Sequence, residues 1–367
     1  MKANRQNQDK ELVLVTGSSG MIGSRLIERL QDRYQVVGLD KKGNMHPPEK
    51  AENIIFDITS EESIQKALAR VRYAYGDQIA SVVHLAAYYD FSGEPSPLYE
   101  EVTVKGTQKL LKQLQNFKVD QLVFSSTNLI YRPTEPGKKI DEADPLEPNW
   151  DYPESKVDTE EIIRRERGDI PAVLLRMAGA YDEEGNSIPL THQIQRIYEK
   201  TLTSHFYSGD PSHGNVFLHL DDLLNALEKT VDKRQELPEE IAINIGEPET
   251  PSYEELQDKI GKLIHGEEWT TVEVPKPIAR TGAWAQTKTG IGDTFIKPWM
   301  IDRADDHYEL DISRARKLLD WEPKHRLMDT LPAMIRKLKE NPEGWYKKNK
   351  LDTSGLSKEQ KQQEGQP

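Results

Sequence analysis

The chain of 367 residues contains no cysteine, which excludes disulfide bonds, thiolate catalysis and cysteine-ligated metal sites. Basic residues are also few: 49 lysines and arginines stand against 62 acidic residues, so the net charge is −13 and the pI about 5.3. An acidic balance argues against a nucleic-acid or anionic-membrane partner. Apolar runs long enough for a membrane span or a signal peptide are missing as well. These absences predict a soluble, cytoplasmic protein with a small-molecule substrate, no nucleic-acid or membrane partner and no metal site.

Glycine is concentrated near the N-terminus, directly after a short apolar run at Leu12–Val15 that is typical of a buried strand. Three glycines and the start of a helical pattern follow: Gly17, Gly20 and Gly23, with Met21 and Ile22. A glycine-rich turn between a strand and a helix exposes backbone N–H groups at the positive end of the helix dipole. The stretch therefore predicts a pyrophosphate site, with an ordinary βα turn as the alternative.

Acidic residues end the next two predicted strands. Asp40 lies 23 residues after Gly17, where a carboxylate would accept hydrogen bonds from the ribose of NAD rather than of NADP. Lys41 follows as a second candidate contact, although a solvated surface lysine explains it equally. After the third strand, Asp57 and Ile58 are predicted to contact the adenine, and the alternative for Asp57 is a helix cap.

Strands continue to alternate with helices up to about residue 180, which predicts right-handed crossovers and a doubly wound parallel sheet in an α/β fold. The fourth strand ends in small residues that let the backbone pass beneath a dinucleotide: Leu85, Ala86 and Ala87. His84, just before them, is interpreted as a packing residue. Ligands of such sheets bind at the carboxyl ends of the strands, so the chemistry is expected there.

Hydroxyl, phenol and ammonium groups appear next in the chain. The fifth strand runs into Ser125, Ser126 and Thr127, and Tyr152 and Lys156 follow at a spacing of one helical turn. An ammonium beside a phenol favours the phenolate and would lower the pKa of Tyr152, making it a general acid or base near neutrality. A surface pair is the alternative for an isolated motif of this kind.

Together these residues resemble the extended short-chain dehydrogenase/reductase superfamily, in particular the NAD-dependent epimerase/dehydratase group. The matching segments are TGSSGMIG, Asp40, Asp57, HLAA, FSST, YPESK, VLLR, FLHLDD and LDISRARKLLDWEP, spread between Glu11 and Leu338. The resemblance implies a Rossmann-type sheet, Tyr152 and Lys156 as a catalytic pair with Thr127, and bound NAD. It also implies that Ser125, Met177 and Ala178 lie beside the nicotinamide, and that a homodimer forms through the helices near Ser96–Phe117 and Tyr152–Arg167.

Several positions depart from the sugar-nucleotide pattern of that family. Thr103 and Gly179 stand where asparagines are usual, and Asn215 or Val216 replaces an arginine that grips a diphosphate. These changes weaken a nucleotide-sugar assignment. Asn128 and Leu129 follow Thr127 in place of an acidic pair, which argues against dehydration.

The family resemblance also implies a division of the chain. Residues 1–180 would form the NAD-binding domain, with 216–247 returning to it, while 181–215 and 248–345 would form a smaller mixed α/β substrate lobe. Residues 346–367 are predicted to be a disordered tail. Gln193 and Arg196 are expected to face the cleft. Trp284, Trp299 and Arg303 are candidates for the pocket, with core packing or a surface salt bridge as the alternatives.

The leading hypothesis is thus an NAD-dependent epimerase-type enzyme that oxidises and re-reduces a carbinol of a sugar or a sugar-nucleotide-like substrate. The first alternative is an NAD(P)-dependent dehydrogenase or reductase of a non-nucleotide alcohol or ketone. The second is a non-catalytic protein that senses the dinucleotide.

Overall fold

A seven-stranded parallel sheet forms the centre of the molecule. The structure is a computed structural model and describes residues 10–43, 50–281, 296–358 and 360. Its strands are β1 Leu12–Thr16, β2 Gln35–Asp40, β3 Glu52–Ile55, β4 Gln78–Ile79, β5 Ser81–His84, β6 Lys118–Val119, β7 Leu122–Thr127, β8 Ala172–Met177, β9 Gly179–Tyr181, β10 Phe206–Tyr207, β11 Phe217–His219, β12 Glu240–Ile245 and β13 Val272–Glu273. The order of strands in the central sheet is β12-β8-β7-β5-β1-β2-β3.

The helices cover both faces of this sheet and build a smaller lobe beside it. They are α1 Met21–Leu30, α2 Glu61–Tyr75, α3 Lys105–Leu114, α4 Asp151–Glu166, α5 Ile188–Tyr198, α6 Leu220–Asp232, α7 Tyr253–His265, α8 Pro298–Asp302, α9 Ser313–Leu319, α10 Leu327–Glu340 and α11 Pro342–Lys348. A π-helical segment, Tyr99–Val104, leads into α3. The doubly wound α/β fold predicted from the sequence is confirmed.

Alternation along the buried strands creates two apolar layers. In β1 all five residues are buried; Val13 and Val15 pack in one layer, and Leu12 and Leu14 pack in the other. Successive side chains of a strand point to opposite faces, so a continuous β-branched run suits a strand covered on both sides. The sheet therefore fixes its carboxyl edge, where the predicted site residues come together.

A third apolar cluster forms the core of the smaller lobe. It combines residues of α5, α7, α10 and α11 with the end of β9, and β10 pairs with β13 at its side. The sequence predicts that residues 216–247 return to the NAD-binding domain, but only one of the two strands in this range joins the central sheet. β12 does join the central sheet, but β11 pairs with β9 in a separate two-stranded sheet.

The predicted disordered tail is wrong for residues 346–358. Tyr346, Leu351 and Leu356 are buried in the core of the smaller lobe. Leu351 and Leu356 are isolated leucines in a polar segment, so no helical or strand period marks them, yet each fills the lobe's apolar cluster. Residues 359 and 361–367 lie outside the described part of the chain.

None of the helices in the described ranges combines the length and the apolar character that a membrane crossing requires.

Candidate active site

The glycine-rich turn after β1 has the geometry of a cradle for an anion. Gly17 has a φ of +69°, and a Cβ there would lie 2.9 Å from the backbone N of Ala86. A Cβ on Gly23 would lie 2.3 Å from the carbonyl oxygen of Gly17, so only glycine lets α1 approach the turn so closely. Gly20 caps α1 without any side-chain hydrogen bond, which leaves the first N–H groups of the helix to an external anion. These features fit a dinucleotide pyrophosphate.

Asp40, the last residue of β2, lies at the same edge of the sheet. Its carboxylate accepts hydrogen bonds from the backbone N–H groups of Ser19 and Lys42, each at 3.0 Å. The acid is therefore held against the glycine-rich turn, in the position expected for a ribose contact.

The carboxylate of Asp57 accepts hydrogen bonds within the turn that follows β3. It accepts from the N–H and the hydroxyl of Thr59 at 3.0 and 2.7 Å, and these bonds lower its pKa although burial opposes the shift. Lys41 lies 3.1 Å from Asp57 with an exposed side chain. The cap of α2 is Ser60, so Asp57 does not play the helix-cap role that the sequence left open.

Ile58, the next residue, has its side chain in the core. It is buried, and a Cβ on Gly106 would lie 3.1 Å from it.

His84 anchors the segment Leu85–Ala87, which follows β5 at the same edge. Its ring is buried between the hydroxyls of Thr16 at 2.7 Å and Thr107 at 2.8 Å, and burial lowers its pKa to about 3. The Thr107 hydroxyl donates to the carbonyl of Thr103, so it accepts from Nε2–H of the neutral ring. His84 is thus a packing residue, as the sequence indicated.

Thr127, Tyr152 and Lys156 come together where β7 ends beside the start of α4. Thr127 is the last residue of β7 and Tyr152 lies in the first turn of α4, where the Thr127 hydroxyl acts to lower the pKa of Tyr152. Lys156 is buried, lies 5.7 Å from the centre of the Tyr152 ring, and donates to the carbonyl of Ser125 at 2.6 Å. Met177 ends β8, the strand next to β7, and Ala178 follows it, with its N–H donating to the carbonyl of Ile245 in β12.

The expected lowering of the Tyr152 pKa is not what this arrangement produces. Burial raises the pKa of Tyr152 to about 12, against a smaller opposing contribution from the Thr127 hydroxyl. Burial also lowers the pKa of Lys156 to about 7, partly offset by the negative charge of Glu160. Desolvation outweighs the attraction expected from the helical spacing because the ammonium is turned toward the Ser125 carbonyl.

Glu160 is a residue that sequence reasoning missed. It lies on α4 one turn beyond Lys156, is fully buried, and accepts from the Ser126 hydroxyl at 2.6 Å and from Arg176 at 2.7 Å. Burial opposes ionisation, but the Arg176 hydrogen bonds hold the pKa of Glu160 below its ordinary value. The four-residue spacing of Tyr152, Lys156 and Glu160 was the available signal, since it places all three on one helix face.

A cavity of about 340 Å³ opens between the central sheet and the smaller lobe. Gln193 and Arg196 line it as expected, and so do Trp299 and Arg303. Trp284 lies outside the described residues. Aromatic lining residues that the sequence did not single out complete the pocket: Phe91, Trp150, Phe206, Tyr207, Phe217, Tyr253 and Tyr308. The volume and the mostly apolar lining are typical of a small-molecule site.

Arg303 both lines the pocket and forms an ion pair, the two roles that the sequence left open for it. Its side chain lines the pocket, donates to the carbonyl of Asn149, and lies 3.8 Å from Asp306. Its Nε is buried and has no hydrogen-bond partner among the described residues. The guanidinium is therefore held at the pocket by Asn149 and Asp306, with its Nε enclosed.

Within the described residues, one group has the composition of a metal site: His219, Asp221 and His325. Nδ1 of His219 accepts the backbone N–H of Asp221 at 3.2 Å, which leaves the proton of a neutral ring on Nε2, the atom nearest Glu183. The Asp221 carboxylate is bonded to Arg29 at 2.7 Å. A ring proton and an existing ion pair both oppose coordination here.

A doubly wound sheet with a glycine cradle after its first strand, and with a tyrosine–lysine pair at its carboxyl edge, defines a dinucleotide-dependent enzyme of the short-chain dehydrogenase/reductase type. The sequence model of the "NAD dependent epimerase/dehydratase family" matches residues 13–246. The chain belongs to this family and is an NAD-dependent enzyme.

Individual relatives cover nearly the whole chain. The UDP-glucose 4-epimerase of Halalkalibacterium halodurans is 26% identical, over 92% of this chain and 98% of the relative. The 3-beta-hydroxysteroid dehydrogenase of Mycolicibacterium neoaurum is 23% identical, over 85% and 87%. The solved UDP-glucuronic acid 4-epimerase of Bacillus cereus, in complex with UDP-glucuronic acid and NAD, has a TM-score of 0.65 at 22% identity, covering 89% of this chain and 99% of the other. That structural likeness concerns the fold.

Proposed function

We propose that the protein is an epimerase-type oxidoreductase that oxidises and then re-reduces a carbinol of a sugar or sugar-nucleotide-like substrate. The observation that carries the proposal is the position of Thr127, Tyr152 and Lys156 where β7 ends beside α4, with the Tyr152 ring 5.5 Å from that of Trp150, which lines the pocket. Relatives with this family's sequence pattern include UDP-sugar 4-epimerases, which supports the reaction type.

The cofactor would be held by residues of the sheet edge. Gly17, Gly20, Met21, Ile22 and Gly23 would bind the pyrophosphate, and Asp40 and Lys41 the adenosine ribose; Asp57 and Ile58 would border the adenine, and Leu85, Ala86, Ala87, Ser125, Met177 and Ala178 the remainder. When bound, NAD supplies a reversible acceptor for the hydride of the carbinol carbon.

The residues of the chain would handle the proton. Tyr152 accepts the proton of the substrate hydroxyl during oxidation and returns it during reduction, while the Thr127 hydroxyl holds the same oxygen. Lys156 would bind the nicotinamide ribose. Its ammonium now donates to the Ser125 carbonyl and burial raises the pKa of Tyr152 to about 12, so the ammonium would have to turn toward the phenol to favour the phenolate.

Replacing Tyr152 by Phe tests this assignment. We expect interconversion of UDP-glucose and UDP-galactose, followed by chromatography, to fall at least about 100-fold because the proton carrier is lost. NAD binding, measured by titration calorimetry, should stay within about twofold. The exposed Tyr73 of α2 provides a matched Tyr→Phe control that should leave both quantities unchanged. An active Tyr152→Phe protein would contradict the mechanism.

A dehydrogenase or reductase of a non-nucleotide alcohol is the second candidate, favoured by the aromatic lining of the pocket. It differs in releasing its cofactor after each turnover. Accumulation of free NADH with an alcohol substrate would support it, whereas an epimerase retains the cofactor. A homodimer through α3 and α4 and a cytoplasmic location remain predictions from the sequence.

A further inference from the structure

The side of the pocket nearest Tyr152 is built from aromatic rings. The Trp150 ring lies 5.5 Å from that of Tyr152, Trp299 stacks on Trp150 at 5.2 Å, and Phe91 meets Trp299 edge-on at 5.6 Å. All three line the cavity. Phe91, Trp150 and Trp299, here named the aromatic wall, therefore form a continuous apolar surface next to the phenol.

The wall is held in place by its surroundings. The indole N–H of Trp299 donates to the carbonyl of Ser92 at 2.9 Å. Gly93 has a φ of +72°, and a Cβ there would lie 2.2 Å from that indole nitrogen, so the turn after Phe91 fits beneath Trp299 only because it carries glycine. This hydrogen bond also uses the polar atom of Trp299, leaving carbon and ring faces toward the pocket.

A hydroxyl that points into such a surface loses hydrogen bonds to water without regaining them. A ring that meets the surface through C–H groups alone avoids this loss and buries carbon. Arg303 lines the same cavity and donates to the carbonyl of Asn149, the residue before Trp150. The pocket thus combines an apolar surface for the reacting ring with a positive charge beside it.

We propose that the aromatic wall selects a cyclic secondary alcohol whose ring presents a hydroxyl-free face to Phe91, Trp150 and Trp299. This inference rests on the proposed function and narrows its substrate class. A deoxygenated hexose attached to a nucleotide has this chemistry, and so does a carbocyclic alcohol.

The test compares three probes with the full-length, NAD-loaded protein: UDP-glucose, UDP-6-deoxyglucose and 4-methylcyclohexanol. The two nucleotides differ by one hydroxyl beside the C4 carbinol. Calorimetry should show UDP-6-deoxyglucose binding at least about tenfold more tightly, the range expected for one group in an apolar site. Equal binding, or tighter binding of UDP-glucose, would overturn the proposal.

Variants of the aromatic wall test whether it causes the difference in affinity between the two nucleotides. Trp299→Leu should bring the ratio of the two affinities close to one, and Phe91→Leu gives the same test should the tryptophan variant fail to fold. Phe206→Leu is the matched control, because Phe206 lines the same pocket outside the wall and its removal should leave the ratio intact. A ratio that persists in both wall variants would show that the wall does not select.

The remaining outcomes separate this inference from the proposed function. Turnover of both nucleotides with equal efficiency and equal affinity overturns the inference and leaves the epimerase assignment standing. Binding of 4-methylcyclohexanol with release of NADH, and no binding of either nucleotide, supports the wall's selectivity and overturns the sugar substrate. Failure of all three probes to bind overturns both.

Discussion

Glu247 gives the molecule a pH-dependent stability that can be worked out from its contacts. The side chain follows β12, is 2% exposed, and accepts hydrogen bonds from the Tyr181 hydroxyl at 2.7 Å and the Leu327 N–H at 2.8 Å. Burial raises the pKa of Glu247 to about 7, although both hydrogen bonds oppose the shift. The carboxyl group thus titrates near neutrality at the junction of the central sheet and the smaller lobe.

The sign follows from proton linkage. With an ordinary pKa of 4.5 in the unfolded chain, the native state binds more protons between pH 4.5 and about 7. Stability from this group is therefore fully present below pH 4.5 and is lost as the pH rises through about 7. A difference of about 2.5 units, at about 1.36 kcal/mol per unit, amounts to about 3.4 kcal/mol.

Replacing Glu247 by Gln mimics the protonated form, because the amide oxygen can accept from Leu327 while the Tyr181 hydroxyl turns to accept from the amide. We expect the free energy of unfolding in urea to match the wild type near about pH 4.5 and to exceed it by about 3 kcal/mol near about pH 8. Glu249→Gln, two residues along at a side chain that is 69% exposed, is the control and should show no such pH-dependent gain. An equal difference from wild type at both pH values would refute the reasoning.

Two further predictions concern the cofactor. Asp40→Ala should weaken NAD binding about tenfold, as the loss of a charged hydrogen bond would, and should leave NADP binding nearly unchanged; equal losses in calorimetry would make Asp40 only a stabiliser of the turn. Gly23→Ala should weaken NAD binding at least about tenfold, because the new Cβ would lie 2.3 Å from the Gly17 carbonyl and push α1 away. Gly43→Ala, where a Cβ would meet nothing within 4 Å, should bind NAD normally in the same titration, and a normal Gly23→Ala protein would contradict the close-approach argument.

The sequence was informative where the structure depends on short segments. The apolar run of β1, the glycine turn and Asp40 all belong to one βαβ unit, so their spacing alone places them at one edge. Tyr152 and Lys156 are likewise neighbours on a single helix, and Thr127 lies at the same edge as the last residue of β7, the strand that the sequence predicts as the fifth. Periodicity and motif spacing describe such local relations well.

Relations between distant segments could not be predicted in this way. The aromatic wall joins Phe91 to Trp150 and Trp299, and no period connects positions so far apart in the chain. Leu351 and Leu356 illustrate the same difficulty, since an isolated leucine in a polar segment becomes a core residue only when another part of the fold offers a groove. The predicted lowering of the Tyr152 pKa was wrong for a related reason. The pKa depends on burial, which is a property of the assembled fold and cannot be obtained from the Tyr152–Lys156 spacing.

The roles of the three hydroxyls at the end of β7 depend on both strand alternation and tertiary contacts. Alternation along a strand points Ser126 away from the face shared by Ser125 and Thr127. Ser126 accordingly donates to the buried Glu160, and Ser125 donates to the His84 carbonyl at 3.1 Å. Of the three hydroxyls, that of Thr127 is the one that acts on the pKa of Tyr152. The contact with Glu160 gives a physical reason why Ser126 is not the partner of the phenol, because its hydroxyl is already donated to that carboxylate.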